Sequence, residues 1–143
     1  MSIPTPKPGL VIHYSFLWSS EHKSGAIEGM KDRPCAIVVA VPQGEGRQVR
    51  TVVAPITHAM PEDASTSLEV PADVCRNLGL DGARHWIRFD ELNRFTWPGY
   101  DLRPRTDGSY HYGMLPRGLF DELRNGIIAA QKAHRAQVVP RDD

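Results

Sequence analysis

Cysteine is nearly absent: Cys35 and Cys75 are the only two in 143 residues. Neither belongs to a CxxC pattern or to a Cys/His spacing that would hold zinc. Each lies in an apolar stretch where a thiol acts as a small hydrophobe. Net charge is absent too, since 17 lysines and arginines balance 17 aspartates and glutamates. That excludes a basic coat over the whole surface, so any binding of nucleic acid must rest on a local patch. No apolar run approaches the roughly 20 residues that span a bilayer, and residues 1–30 carry no charged-then-apolar leader pattern. A cytoplasmic protein without membrane contact is expected. There is no G-x-x-x-x-G-K-[ST] for nucleotide phosphates, no carboxylate cluster for Mg²⁺ and no G-x-S-x-G around a serine. No metal and no cofactor is expected.

What is present is ordinary for a globular chain, 41% hydrophobic and 24% charged. The length suits a single domain over 1–143 with its own core. Two β-branched runs, Cys35 to Val41 and Val49 to Ile56, flank the polar turn Pro42-Gln43-Gly44-Glu45-Gly46 and read as a buried hairpin. Glu28, Lys31, Asp32 and Arg33 precede the first run, and Thr57 and His58 follow the second. In an antiparallel pair these ends meet. A guanidinium, a hydroxyl, an imidazole and a carboxylate gathered at one sheet edge suit a phosphodiester.

Around this hairpin the chain reads as follows. Residues 1–8 form a proline-rich arm, and Gly9 to Trp18 a strand with Ile12, Tyr14 and Phe16 on one face and Val11, His13 and Ser15 on the other. Ser19 to Met30 reads as a polar loop, long enough for a mobile flap. Ser67 to Val70 is a short strand. Pro71 opens a helix over Ala72 to Leu78, and Gly79 stops it. Trp86 to Asp90, Glu91 to Pro98 and Tyr110 to Leu115 supply further strands. A helix from Pro116 to about Gln137 presents Leu119, Phe120, Leu123, Ile127, Ile128 and Gln131 at helical spacing, with Gly118 and Gly126 weakening it by about 1 kcal/mol each. Residues 138–143 read as a tail. The expected class is mainly β (α+β): a small antiparallel, SH3-like barrel with a C-terminal covering helix.

The order of motifs resembles the MazF/PemK family of toxin–antitoxin ribonucleases. Gly9-Leu10-Val11-Ile12 is similar to that family's opening strand. Gly25-x-x-Glu28-x-x-x-x-Arg33-Pro34 is similar to its loop and R-P signature, and Val53-Ala54-Pro55-Ile56-Thr57 to its V-x-P-[IC]-T signature. Leu68-Glu69-Val70, Asp90-Glu91-Leu92-Asn93-Arg94 and Gly113-Met114-Leu115-Pro116 continue the series over nearly the whole chain. The long loop with its F-L-W-S-S-E-H opening, Asp32 before Arg33, and Asn93-Arg94-Phe95 depart from the family pattern. The resemblance implies a homodimer, metal-independent cleavage of single-stranded RNA, and a cognate antitoxin that blocks it.

Such cleavage uses the RNA's own 2′-hydroxyl and needs a base, an acid and charge stabilisation at phosphorus. Arg33 suits the phosphoryl oxygens, because its fork donates two parallel bonds. Thr57 offers a hydroxyl to the same group. Glu28 and His58 are rival proton carriers, with His13 and His22 behind them. Arg84, Arg88, Arg94 and Trp97 are the expected RNA-binding set, arginines and an aromatic platform for an unpaired strand. Trp18 and Trp86 read as core or dimer contacts. The alternative from another class is a non-catalytic barrel module that binds a protein, such as a gyrase-like target, or nucleic acid.

Overall fold

The computed structural model describes residues 3–29, 31–44 and 48–141. Met1 and Ser2 of the expected arm, Met30 at the loop's end, Glu45 to Arg47 of the turn, and Asp142 and Asp143 of the tail lie outside the described residues. The elements run β1 (Leu10–Ser15), α1 (Ser19–Lys23), β2 (Asp32–Pro42), β3 (Val49–Thr57), β4 (Ser67–Glu69), α2 (Ala72–Asn77), β5 (Trp86–Arg88), β6 (Glu91–Thr96), β7 (His111–Met114), α3 (Arg117–Lys132) and β8 (Gln137–Pro140). The sheet follows the order β4-β5-β3-β2-β1-β7, and β6 joins it by pairing with β3 and β8. Its pairs are antiparallel apart from β6 with β8. The sheet curls into a partly open small barrel with one long helix near the C-terminus, the class the sequence leads to. Among the described residues no helix is long and apolar enough to cross a membrane.

The apolar runs of β2 and β3 follow from burial on both faces over Cys35–Val38 and Val53–Ile56, whereas Val39 and Val41 of β2 are exposed. Cys35, Ile37 and Val53 point into the barrel with Leu10, Ile12, Tyr14, Phe16, Phe95 and Leu102. Ala36, Val38, Ala54 and Ile56 point the other way, onto Val74 and Cys75 of α2 and Leu119, Leu123 and Ile127 of α3. Alternation along each strand sorts the two cores. Leu123 is fully buried, a contribution of roughly 2–3 kcal/mol. Gly79, at φ 72°, caps α2 in the left-handed region as expected.

Three expectations are corrected. The stretch after β1 opens as helix α1, because the Trp18 N–H donates to Glu21 Oε1 (3.0 Å) and Ser19 donates through N and Oγ to Glu91 (2.8 and 2.6 Å). Helix α3 stops at Lys132, not near Gln137. His134 takes φ 56°, and the Arg135 N–H returns to the Ala130 carbonyl at 2.8 Å. The supposed tail is strand β8, parallel to β6, with Val139 buried.

Behind β8, Arg141 is 8% exposed and pairs with Asp101 at 2.9 Å. It also donates to the Ser15 carbonyl (2.8 Å) and to Asn93 Oδ1 (2.9 Å). Asn93 in turn holds the Leu17 backbone through both its N–H (2.9 Å) and its carbonyl (2.8 Å). The chain leaving β1 is thus pinned where α1 begins.

Candidate active site

The hairpin register pairs Cys35 with Pro55. Continued to the strand ends, it sets Arg33 beside Thr57. Thr57 itself pairs with Trp86 across β3 and β5, and Ser67 with Arg88 across β4 and β5. Cross-strand partners share a face, so Arg33, Thr57, Trp86, Arg88 and Ser67 leave the sheet on one side.

Aromatic and cationic groups interleave there. The Arg33 guanidinium lies 5.1 Å from the Trp18 ring centre, that of Arg88 lies 5.4 Å from the same ring, and that of Arg84 lies 4.8 Å from Trp86. Trp18 is therefore a half-buried ring in contact with two arginines, not simply core. Trp86 is buried, as a core residue would be.

The arginines differ in their partners. Arg84 forks onto Glu69, both bonds at 2.8 Å, and Arg88 onto Asp90 at 2.8 and 2.9 Å. Arg33 has no carboxylate partner among the described residues, and its buried Nε has no hydrogen bond. Burial pulls its pKa below the usual guanidinium value, though it stays charged at any ordinary pH. Ser67 Oγ on the same face is also buried and unbonded.

His58 takes another direction. The β3–β5 register carries on to set it beside His85, and the two rings meet edge to face with centres 4.4 Å apart. Both reach Asp81 in the turn after α2, His58 Nε2 at 3.3 Å and His85 Nε2 at 3.1 Å. The Ala83 N–H holds the Asp81 carboxylate at 2.9 Å, and this bond is the main cause of its lowered pKa. His58 and Asp81 are exposed, whereas His85 is buried.

A third pair stands on β1 and β7. His13 Nδ1 lies 2.6 Å from the Tyr112 hydroxyl, and Arg105 lies over the Tyr112 ring at 4.1 Å. Burial lowers the His13 pKa and raises that of Tyr112. A cavity of about 310 Å³ is bordered by Asp32, Arg33, Thr57, His58, Asp81, His85 and Tyr112. It joins the three groups at the rim of the barrel.

The remaining expected site residues fall elsewhere. Glu28 borders a separate cavity of about 450 Å³ with His22, Asp101 and Arg141. Arg94 pairs with Val52, and the Trp97 N–H bonds the Val49 carbonyl at 2.9 Å, at the far end of β3. At about 3.3 Å per residue, Val52 lies roughly 17 Å and Val49 roughly 25 Å along the strand from Thr57. So Arg84 and Arg88 join the face of Arg33, while Arg94 and Trp97 do not. Asp81, His85 and Tyr112 were not legible as site residues. Asp81 and His85 share the turn before β5 while Tyr112 lies on β7, and the strand registers bring that turn and β7 to the end of β3. No protein-family model, curated protein or solved structure matches this chain.

Proposed function

We propose that this chain is a metal-independent endoribonuclease that cuts single-stranded RNA by attack of the 2′-hydroxyl on the adjoining phosphorus. The observation that carries the reading is Arg33, a half-buried guanidinium against an aromatic ring, with no carboxylate at ion-pair distance among the described residues and only the through-space pull of Glu21. Buried polar groups are normally paired within the protein. A desolvated, unpaired cation beside a hydroxyl is a site for an anion, and a phosphodiester oxygen fits the fork.

Arg33 would take the charge that develops on the phosphoryl oxygens, and Thr57 would fix the phosphate. Trp18, in contact with both Arg33 and Arg88, would hold the two guanidinium groups in place for the strand. His58 adjoins Thr57 in the chain and borders the same cavity. It would carry the proton from the 2′-hydroxyl, or to the leaving 5′-oxygen. The products are a 2′,3′-cyclic phosphate and a free 5′-hydroxyl. The motif order, which resembles that of MazF/PemK toxins, is consistent with this reading and with a homodimer and an acidic antitoxin segment laid over the arginine face.

One observation favours the second reading, a barrel that binds nucleic acid or protein without cutting. His58 and Asp81 lie on the α2 side, while Arg33 and Thr57 face Trp18. A single assay separates the two. Purified protein is incubated with a long single-stranded RNA in EDTA, beside Arg33→Ala. Discrete products ending in cyclic phosphate, absent with the variant, are expected. Intact RNA with folded protein, or equal cutting by both proteins, overturns the nuclease assignment.

A further inference from the structure

We propose that His58, Asp81 and His85 form a binding site for a divalent first-row transition ion, zinc by preference, and that filling it switches off cleavage at the adjoining rim. The switch rests on the nuclease reading above; the metal site does not.

The three ligands come from the end of β3, the turn after α2 and the start of β5, and their donor atoms all lie within 4.8 Å of one another. Four-coordinate zinc with bonds of about 2.0–2.1 Å holds neighbouring donors about 3.3 Å apart. His85 Nε2 and Asp81 Oδ1, 3.1 Å apart, already match that edge, whereas His58 Nε2 lies 3.3 Å from the other carboxylate oxygen, Oδ2. His58 must therefore move to bring its Nε2 to an ion held by His85 and Oδ1. His58 is exposed and can swing, while buried His85 and the Asp81 carboxylate, tied to the Ala83 N–H, form the fixed half.

Two imidazoles and one carboxylate favour zinc and its neighbours over magnesium or calcium, which prefer oxygen throughout. Asp81 has no arginine or lysine partner among the described residues. Arg84, three positions on, is committed to Glu69. The cavity that all three ligands border leaves room for water at the fourth position. Binding takes the Nε2 lone pair of each ring. Each ring proton moves to Nδ1, and the carboxylate is already ionised. With Nε2 on the ion, His58 no longer carries a proton to or from RNA.

The test uses the full chain, stripped with EDTA and dialysed, then titrated with Co²⁺ and read by its visible absorption. One cobalt per chain, displaced by zinc, is expected. His58→Ala and Asp81→Ala each remove an exposed side chain, so the fold is kept and circular dichroism checks it. Each should weaken cobalt binding on the order of tenfold or more. No visible band, or a band indifferent to both substitutions, overturns the site. In a parallel arm, stoichiometric zinc should abolish the RNA cleavage seen in EDTA. Cleavage unchanged under saturating zinc overturns the switch. RNA left intact in EDTA, with cobalt still bound and sensitive to the substitutions, supports the site and instead removes the nuclease reading.

Discussion

Replacing Arg33 by methionine should leave the protein as stable as before or more so, while destroying its activity. On the folding side two terms oppose each other. The guanidinium loses its place on Trp18, 5.1 Å from the ring centre, a contact worth about 0.5–1 kcal/mol. A thioether in the same position returns part of this through its own contact with the ring. Against that, the buried Nε has no hydrogen-bond partner, and leaving such a group in place costs about 1–3 kcal/mol. The balance runs from about zero to 2 kcal/mol in favour of the variant. At roughly 3 °C per kcal/mol for a chain of this size, the melting temperature should hold or rise by up to about 6 °C. On the catalytic side, losing the donors aimed at the phosphoryl oxygens costs about 3–4 kcal/mol of transition-state stabilisation, a loss of about 10²–10³ in kcat. Urea and thermal melts beside the EDTA cleavage assay measure both. A variant destabilised by more than 2 kcal/mol would show that Arg33 is a structural residue and would refute the anion-site reasoning. A stable variant that still cuts RNA at the wild-type rate would refute its catalytic part.

Other perturbations probe the frame around the site. Gly126→Ala should gain about 1 kcal/mol of helix propensity. Yet its Cβ would come 2.5–2.6 Å from the Phe89 ring, and such overpacking costs about 1–3 kcal/mol. Urea unfolding should show a net loss, and a gain near 1 kcal/mol would dismiss the ring as the reason for the glycine. Asn93→Ala strands the Leu17 backbone and one Arg141 donor in the core. It should cost about 3–5 kcal/mol, and a loss below 1 kcal/mol in the same assay would show that these bonds are replaceable. His13 has its pKa lowered by burial, so below its ordinary value of 6.5 the unfolded chain binds more protons than the folded one. Stability from this group is full above pH 6.5 and falls as the pH drops toward the folded pKa. His13→Gln should flatten the dependence of the urea midpoint between pH 5 and 7, and an unchanged slope would assign it to other groups.

What could be read in advance followed local rules. Apolar runs bounded by turn residues placed β2 and β3 because burial on both faces demands such runs. Pro71 and Gly79 bounded α2 because proline and glycine act through their own backbone. The failures share a different physics. Helix α3 stops at Lys132, and His134 just beyond it takes a left-handed turn closed by backbone bonds, a far weaker stop signal than a glycine or proline. Strand β8 has four residues and is held by a parallel partner more than 40 positions earlier, which no local pattern reveals. Helix α1 did leave a trace, a glutamate three residues after Trp18 whose carboxylate returns to the Trp18 N–H. The usual cap is a serine or threonine, so a tryptophan there does not read as a helix start.

The same division runs through the site. Arg33 and Thr57 could be brought close in advance because a hairpin joins its outer strand ends, but the exact pairing depends on a bulge: the register shifts by one between Val39 against Val52 and Ile37 against Val53, and without that shift Arg33 would face His58. His58 belonged to the same stretch, but its partners depend on a second register, Thr57 against Trp86, between strands far apart in sequence. Asn93 looked like a departure from a family motif, yet it holds the chain between β1 and α1 and carries no chemistry at the rim. Unsatisfied groups gave the sharper guide to function. Arg33 Nε and Ser67 Oγ are both buried and unbonded, and both lie on the face that carries Trp18 and Arg88. Folding alone gains nothing from leaving two polar atoms dry on one face. A ligand with an anionic oxygen and a flat base would satisfy one and cover the other. On the ribonuclease reading proposed above, the Arg33 face, more than the histidine cluster, is where the strand should lie.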